Sequence, residues 1–207
     1  MTAERSGRGS RRPRESFADR RARRAAIADP AVVLEAAARF LEARSRSVAE
    51  VRRRLTGAGY HADLVEGAIG RLGALGMLDD ESFARAWVES RDRARPRGER
   101  AIREELRLKG IDRAIVDVVL EERRTRDGDG ARNGGASEVG VPGVEEDADS
   151  VAAGRLLAKH ARALARVPDV RQRRQRAYAL LARNGFDPET CRRFAATVTQ
   201  DPASDED

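Results

Sequence analysis

Several features that identify common protein classes are scarce in this chain of 207 residues. It has one cysteine, so no internal disulfide can form, and aromatic residues make up only 4% of the sequence. No apolar run approaches the roughly 20 residues that a membrane helix needs, and the N-terminus lacks the apolar segment of a secretion signal. These absences predict a soluble cytoplasmic protein without membrane contact, whose core is built from Ala, Leu and Val.

The sequence also lacks the motifs of common enzyme classes. It contains no GxxxxGK[ST] or strand-linked GxGxxG loop, and no His/Cys group with metal-site spacing. His61 and His160 stand in polar surroundings, and Cys191 occupies an apolar helix position, so we expect surface histidines and a core thiol. The adjacent Asp79 and Asp80 suggest a metal site, but aspartates at a helix start are expected to cap it. The sequence therefore predicts no enzyme activity, no catalytic or metal-binding residue and no cofactor.

The chain contains a sequence repeat that occurs three times. A glycine followed by a bulky apolar residue recurs at Gly59, Gly110 and Gly185. Each glycine has a leucine four residues before it and a small or branched apolar residue six residues after it. A glycine after a helix can adopt the left-handed conformation that ends the helix, and the residue after it packs back onto that helix. The pattern predicts three equivalent helix–turn–helix units.

Short amphipathic helices around each glycine determine the predicted fold. Leu55 with Val51, and Leu106 with Ile102, are four residues apart, which places each pair on one helix face. A short helix with one apolar stripe cannot bury that stripe alone, so the repeats must stack. Ala and charged residues dominate and strand-like alternation is absent. The sequence predicts an all-α fold of three tandem three-helix repeats, stacked into an elongated, curved right-handed or solenoid-like array.

Composition sets the predicted boundaries between the repeats. The spacing from Gly110 to Gly185 is 24 residues longer than the spacing from Gly59 to Gly110. This excess nearly equals the length of a Gly- and acid-rich stretch, which we expect to be a linker. The Arg-rich N-terminus, expected to be disordered or partly helical near its end, is either an arm that finds nucleic acid or a solubilising extension. The predicted segments are a disordered Arg-rich arm (1–28), repeat 1 (29–78), repeat 2 (79–124), a flexible linker (125–149), repeat 3 (150–199) and an acidic tail (200–207).

The distribution of positive charge indicates where a partner binds. The net charge is +6, and residues 151–200 carry eleven basic groups against three acidic ones. In DNA-binding helix-turn-helix proteins the helix after the turn is basic. Here the helices after the turns at Gly59 and Gly110 carry slightly more acidic than basic residues, and the excess of basic residues lies on the helices before the turns. Such positions would align into one basic stripe in a regular stack, whereas ion pairs along a solvated helix face remain the alternative.

Four segments resemble a known family. RSRSVAEVRRRLTGAGY (44–60), LGMLDDESFARAWVESR (75–91), RGERAIREELRLKGI (97–111) and RQRAYALLARNGF (174–186) are similar to the successive motifs of RecX, the bacterial regulator of the RecA recombinase. The resemblance covers about residues 31–124 and 150–198, and the LGxLDD stretch is its most specific part. The Arg-rich arm and the 125–149 insertion depart from the family pattern.

The resemblance implies a regulator without enzymatic activity. RecX-like proteins consist of three tandem three-helix repeats and bind RecA, chiefly its filament on single-stranded DNA. By blocking filament growth they lower ATP hydrolysis, strand exchange and the co-protease activity that triggers the SOS response, and so modulate homologous recombination and DNA repair. The implied partners are RecA and the RecA–single-stranded DNA filament, with weak direct DNA binding by a monomeric protein.

Eight basic residues are the candidate contacts with RecA or DNA. All lie on or at the end of the helix that precedes a turn glycine. They are Arg52, Arg53, Arg103, Lys109, Arg173, Arg174, Arg176 and Arg183. Two other functions remain open, a helical DNA-binding protein that acts independently of RecA and a helical scaffold for a different partner.

Overall fold

The structure is a computed structural model that describes residues 15–133 and 147–198. These residues form ten helices and no strand, which confirms the all-α prediction for the described part of the chain. The helices are α1 (Phe17–Ala25), α2 (Pro30–Glu42), α3 (Val48–Ala58), α4 (Ala62–Ala74), α5 (Asp80–Ala94), α6 (Glu99–Leu108), α7 (Arg113–Asn133), α8 (Ala148–Ala165), α9 (Val170–Arg183) and α10 (Pro188–Thr197). Helices α2–α4, α5–α7 and α8–α10 correspond to the three repeats.

The helix starts follow from the local sequence. Asp29 accepts from the amide of Ala31 at 2.9 Å, directly before Pro30 in the first turn of α2. Asp187 repeats this arrangement before Pro188 of α10, and Asp79 caps α5 through the amide of Glu81. Side-chain caps satisfy amides that have no partner within the helix, and proline fits the first helical position.

All three predicted glycine turns are present and equivalent. Gly59, Gly110 and Gly185 have φ of 103°, 78° and 84°, in the left-handed region. At the first turn the amide of Tyr60 donates to the carbonyl of Leu55 at 3.3 Å, and the other two turns have the same bond, at 3.1 and 3.4 Å. This bond pattern closes a helix through a left-handed glycine. The glycine periodicity therefore identified the ends of α3, α6 and α9.

The arm over residues 1–28, which we expected to be disordered or partly helical near its end, is helical in its C-terminal part. Phe17–Ala25 form α1, because Ser16 and Asp19 make a reciprocal capping box: Ser16 accepts from the amide of Asp19, and the Asp19 carboxylate accepts from the amide of Ser16. Residues 1–14 lie outside the described part of the chain.

Both predicted boundaries of the linker, at residues 125 and 149, are wrong. Helix α7 continues to Asn133, and no proline interrupts its sequence. Helix α8 begins at Ala148, because Asp147 caps it by accepting from the amide of Ser150 at 2.7 Å. Residues 134–146 and the predicted acidic tail, 200–207, lie outside the described residues.

The described residues group into two compact units. The first contains the chain up to Arg44 together with Val51–Met77, and the second contains Ser45–Glu50 together with the chain from Leu78 onward. In the first unit, the buried apolar residues include Val33, Leu55, Val65 and Leu72. The third repeat therefore does not form a unit of its own.

The second unit contains two apolar clusters, one for each of its repeats. The first is built from α5–α7, and its members include Phe83, Val88, Ile102, Leu106, Val116 and Leu120. The second is built from α8–α10, and its members include Leu156, Leu157, Leu181, Phe186, Cys191 and Phe194. Equivalent positions around the turns are thus buried in both repeats, as the superposed sequences predict.

Candidate partner interface

Arg52, on α3, is held by an acidic residue of its own repeat. Its guanidinium makes two hydrogen bonds to the Glu66 carboxylate of α4, at 2.5 and 2.8 Å. This bidentate contact lowers the pKa of the Glu66 carboxyl. The neighbouring Arg53 is exposed, and no ion pair is recorded for it within the described residues. Of these two candidates, Arg53 presents the more available charge.

Arg103, on α6, is held in the equivalent way. It pairs with Asp117 of α7, and it also donates to Glu99 at 3.1 Å. The Asp117 hydrogen bond raises the pKa of Arg103, and the Arg103 hydrogen bond in turn lowers the pKa of Asp117. Arg52 and Arg103 each stand seven residues before their turn glycine, and their acids stand seven residues after it. The ion-paired alternative therefore describes both of these arginines.

Lys109 belongs to a half-buried cluster around Trp87, the only tryptophan of the chain. Its ammonium lies 2.7 Å from the Glu50 carboxylate and 4.8 Å from the centre of the Trp87 ring. The Arg91 guanidinium lies 4.2 Å from the same ring centre, and Glu105 accepts from both the Trp87 indole and Arg91. Side chains engaged on several sides in this way hold a fold together and offer little charge to a partner.

The candidates on α9 divide into three groups. Arg173 is half-buried and donates two hydrogen bonds to the Val167 carbonyl, at 3.0 and 3.1 Å. Arg174 is exposed on one flank of the helix, whereas Arg176 and Arg183 are exposed on the other, seven residues apart. No ion pair is recorded for these three arginines within the described residues. Together with Arg53, they are the candidates whose charge remains available.

Repeat 3 departs from the other repeats at one pair of positions. Seven residues before Gly185 stands Tyr178, which is 37% exposed, and seven residues after it stands Arg192, which is also exposed. The Arg–acid pair of repeats 1 and 2 is thus replaced by an aromatic residue and a second arginine. Our list of candidates omitted Tyr178, Arg192 and the exposed Arg171. The signal for them lies in the superposed repeats, where Arg192 stands at the position of the acids Glu66 and Asp117.

Cys191 and the two adjacent aspartates, residue types that could react or bind a metal, have structural contacts. Cys191 is fully buried, burial raises the pKa of its thiol, and its Sγ lies 3.6 Å from the Phe186 carbonyl oxygen. Asp79 caps α5, which confirms the predicted capping role for this residue. Asp80 instead accepts from the amide of Val48, the first residue of α3, at 2.8 Å. No group of His, Cys, Asp and Glu suited to hold a metal occurs within residues 15–133 and 147–198.

An open groove lies at the turn of repeat 2. It has a volume of about 730 Å³ and is lined by Arg103, Arg107, Asp112, Arg113 and Asp117 around the Gly110 turn. Arg107 donates two hydrogen bonds to Glu104, and Arg113 lies 3.6 Å from Asp117. The groove therefore carries charges of both signs that already pair with each other.

Comparison with known proteins identifies the two repeats that precede the insertion. Residues 34–72 match the family model of the first three-helix domain of RecX, and residues 79–120 match that of its second three-helix domain. The chain is therefore similar to RecX proteins over these two successive segments. The predicted resemblance is thereby confirmed for the segments that carry the first two glycine turns.

Individual RecX proteins support this assignment. The chain is 42% identical over 82 residues to the regulatory protein RecX of Mycolicibacterium vanbaalenii, and 40% identical over 82 residues to that of Mycobacterium avium. The matched segment covers 40% of this chain in both cases, and 45% and 47% of the two relatives, so it spans about half of their length.

Solved structures of RecX proteins share the fold. The crystal structure of RecX from Lactobacillus salivarius has a TM-score of 0.63 and 18% identity, and the match covers 82% of this chain and 96% of that one. A second RecX crystal structure has a TM-score of 0.58 and 20% identity, with 84% and 70% covered. No helix within the described residues combines the length and the apolar character needed to cross a bilayer.

Proposed function

We propose that this protein is a non-enzymatic regulator that binds RecA and its filament on single-stranded DNA. By limiting filament growth it modulates ATP hydrolysis, strand exchange, DNA repair and the SOS response. The observation that carries this proposal is the match of residues 34–72 and 79–120 to successive RecX domains. The binding partner and the monomeric state follow from the resemblance, the cytoplasmic location follows from the sequence, and all three are part of the proposal.

The charge of the third repeat supports a role in contacting the filament. Helix α9 carries five arginines and no acidic residue, and four of these arginines are exposed. Exposed guanidinium groups without internal partners are suited to carboxylates of a protein surface and to phosphates of DNA. Arg52 and Arg103, by contrast, already bind carboxylates within their own repeats. We therefore assign the proposed contact surface to α9 and not to a stripe through Arg52 and Arg103.

A titration of RecA-dependent ATP hydrolysis on single-stranded DNA tests the proposal. We expect inhibition at amounts well below one molecule per RecA, because one molecule at a growing end stops further addition. A variant that lacks residues 1–14, and so keeps helix α1, should inhibit equally if the Arg-rich arm is only a solubilising extension. Absence of inhibition at saturating concentration would contradict the regulator function.

The acid-free α9 also supports a second candidate, a helical DNA-binding protein that acts independently of RecA. This function predicts tight binding of DNA by the purified protein alone, with an affinity that falls steeply as salt increases. The regulator predicts weak binding to free DNA and a strong effect on the filament. Comparing affinity for naked single-stranded DNA with inhibition of RecA in the same buffer separates the two functions.

A further inference from the structure

One exposed flank of α9, together with a neighbouring position on α10, carries three arginines and a tyrosine. Arg171, Arg174 and Tyr178 are spaced three, four and seven residues apart, which places them on one flank of the helix. Helix α10 packs against α9 and carries Arg192 at the position where repeats 1 and 2 have an acid. We call these four residues the α9–α10 flank.

Repeats 1 and 2 have an arginine–acid ion pair at the positions that Tyr178 and Arg192 occupy in this flank. In repeat 1 the equivalent positions form the Arg52–Glu66 pair, and in repeat 2 they form the Arg103–Asp117 pair. Each pair is neutral and satisfies its own hydrogen bonds. In repeat 3 the arginine of the pair has become Tyr178 and the acid has become Arg192, so the flank carries positive charge and an exposed ring. Within residues 15–133 and 147–198, no hydrogen bond or ion pair between these two positions replaces the one found in repeats 1 and 2.

We propose that the α9–α10 flank binds single-stranded nucleic acid, with its arginines on successive phosphates and Tyr178 stacked on a base. Arginine binds phosphate through its planar fork of donors, and an aromatic side chain stacks on any unpaired base. An acidic protein surface would pair with the arginines, whereas a single strand pairs with the arginines and also offers Tyr178 an unpaired base on which to stack. A duplex keeps its bases stacked internally, so an exposed aromatic ring favours a single strand.

This inference rests on the proposed function only for its biological setting. In a RecA–DNA filament, the flank would contact the DNA strand and the opposite flank of α9, with Arg176 and Arg183, would remain available to the protein. The binding chemistry itself is independent of RecA and can be measured without it. Failure of the flank and failure of the regulator function are therefore distinguishable.

The test is fluorescence anisotropy of a labelled oligodeoxythymidine with the full chain, over a series of salt concentrations. If three arginines contact phosphates, the logarithm of affinity should fall against the logarithm of salt with a slope of about −2, since each contact on a single strand contributes roughly 0.7. Tyr178→Ala should weaken binding by about tenfold or more and leave this slope unchanged, because stacking does not release counterions.

A double variant tests the flank without disturbing the fold. Tyr178→Arg with Arg192→Glu recreates the arginine–acid pair that repeats 1 and 2 contain. We expect this variant to keep the far-UV circular dichroism and melting temperature of the wild type and to lose at least tenfold in affinity for the oligonucleotide. Arg176→Gln, on the opposite flank, changes the net charge by the same one unit and should change the affinity less than twofold.

Three results would overturn the inference. The first is that the wild-type chain does not bind the oligonucleotide at low salt. The second is that the double variant binds it as tightly as the wild type. The third is that Arg176→Gln weakens binding as much as the double variant does. If the double variant binds DNA normally but no longer inhibits RecA, the flank contacts protein and not nucleic acid. If the double variant loses DNA binding while wild-type protein never affects RecA, the flank is correct and the regulator function is wrong.

Discussion

The Ser47 hydroxyl donates a hydrogen bond of 2.7 Å to the carbonyl of Lys109, the residue directly before the turn glycine Gly110. The amide of Gly98 makes the same connection to the carbonyl of Asn184, directly before Gly185, at 3.0 Å. Ser47 and Gly98 both stand twelve residues before the turn glycine of their own repeat. Within the second unit, the residue at the start of a helix therefore donates a hydrogen bond to the carbonyl before a turn glycine at two equivalent places.

The close approach at these turns predicts a large effect of Gly185→Ala. A Cβ at this position would lie 2.5 Å from the Ala101 amide nitrogen and closer still to the Ala101 Cβ, and φ is 84°. The left-handed backbone and the overpacking together should lower the free energy of unfolding by about 2–5 kcal/mol. The measurement is urea unfolding followed by far-UV circular dichroism.

Gly67→Ala is the matched control for this prediction. Gly67 lies inside α4, and a Cβ added there would meet nothing within 4 Å, so alanine should be neutral or should stabilise by about 0.5–1 kcal/mol. If Gly185→Ala destabilises no more than Gly67→Ala, the turn tolerates a side chain and its close contacts do not matter.

Helix α1 makes a related contact in the first unit. Arg24 donates to the carbonyl of Ala58, directly before Gly59, at 3.4 Å, and its guanidinium lies 5.7 Å from the centre of the Tyr60 ring. We expect Arg24→Ala to lower the free energy of unfolding by about 1 kcal/mol through the lost hydrogen bond and ring contact. It should also speed hydrogen exchange at the Tyr60 amide.

Arg23→Ala serves as the comparison on the same helix. Arg23 is exposed, and its partner Glu15 is 3.3 Å away, so this surface pair should contribute little. If both substitutions have the same effect on exchange at Tyr60, α1 does not stabilise the glycine turn through Arg24.

Local sequence explains the helices of this chain better than it explains the pairing of their side chains. Helix caps and glycine turns depend on neighbouring residues and can therefore be predicted from the sequence. This holds for the caps at Asp29, Asp79 and Asp187 and for the three glycine turns. The Arg52–Glu66 pair joins residues fourteen apart on two helices, so it depends on how those helices pack. The continuation of α7 to Asn133 against a Gly-rich composition depends on the helix that precedes it. The candidate arginines could therefore be located on helices, but not sorted into engaged and available ones.

The environment of Arg123 is also not predictable from the sequence, because nothing in the sequence indicates that this residue is buried. Its side chain is 4% exposed and pairs with Asp92 at 2.9 Å and with Asp149 of α8 at 2.6 Å. Arg123→Ala leaves two carboxylates facing each other in a half-buried site, and we expect a loss of about 3–5 kcal/mol in the free energy of unfolding. Denaturant titration followed by Trp87 fluorescence and by circular dichroism measures this loss.

The adjacent Arg124 is the natural control. It pairs with Glu99 at 2.6 Å, but half of its side chain is exposed, so Arg124→Ala should cost at most about 1 kcal/mol. Comparable losses for the two neighbours would mean that burial of Arg123 contributes nothing beyond an ordinary surface pair.

Asp79 predicts a pH-dependent contribution to stability. The Ser82 hydroxyl and the Glu81 amide hold the pKa of the Asp79 carboxyl below its usual value. Because the folded-state pKa is lower than the unfolded one, the ionised carboxylate stabilises the fold above about pH 4, and this contribution is lost as the pH falls towards the folded-state pKa. Asp79→Asn keeps a capping oxygen without the charge. It should melt at a lower temperature than the wild type at pH 7, and the difference should close below about pH 4; a difference that persists in acid would contradict this origin.

Availability of charge, and not its mere presence, should decide which arginines act on RecA. Arg174, Arg176 and Arg183 are exposed without a recorded ion pair in the described residues, whereas Arg52 and Arg103 bind Glu66 and Asp117. Changing the three α9 arginines together to Glu should keep the helical circular dichroism and abolish inhibition of RecA-dependent ATP hydrolysis. Arg52→Ala with Arg103→Ala should change the inhibitory concentration less than threefold, because carboxylates of the same repeats already compete for those guanidinium groups. Loss of inhibition in the second variant alone would move the contact surface to the stripe through α3 and α6, and would show that RecA can displace both internal acids.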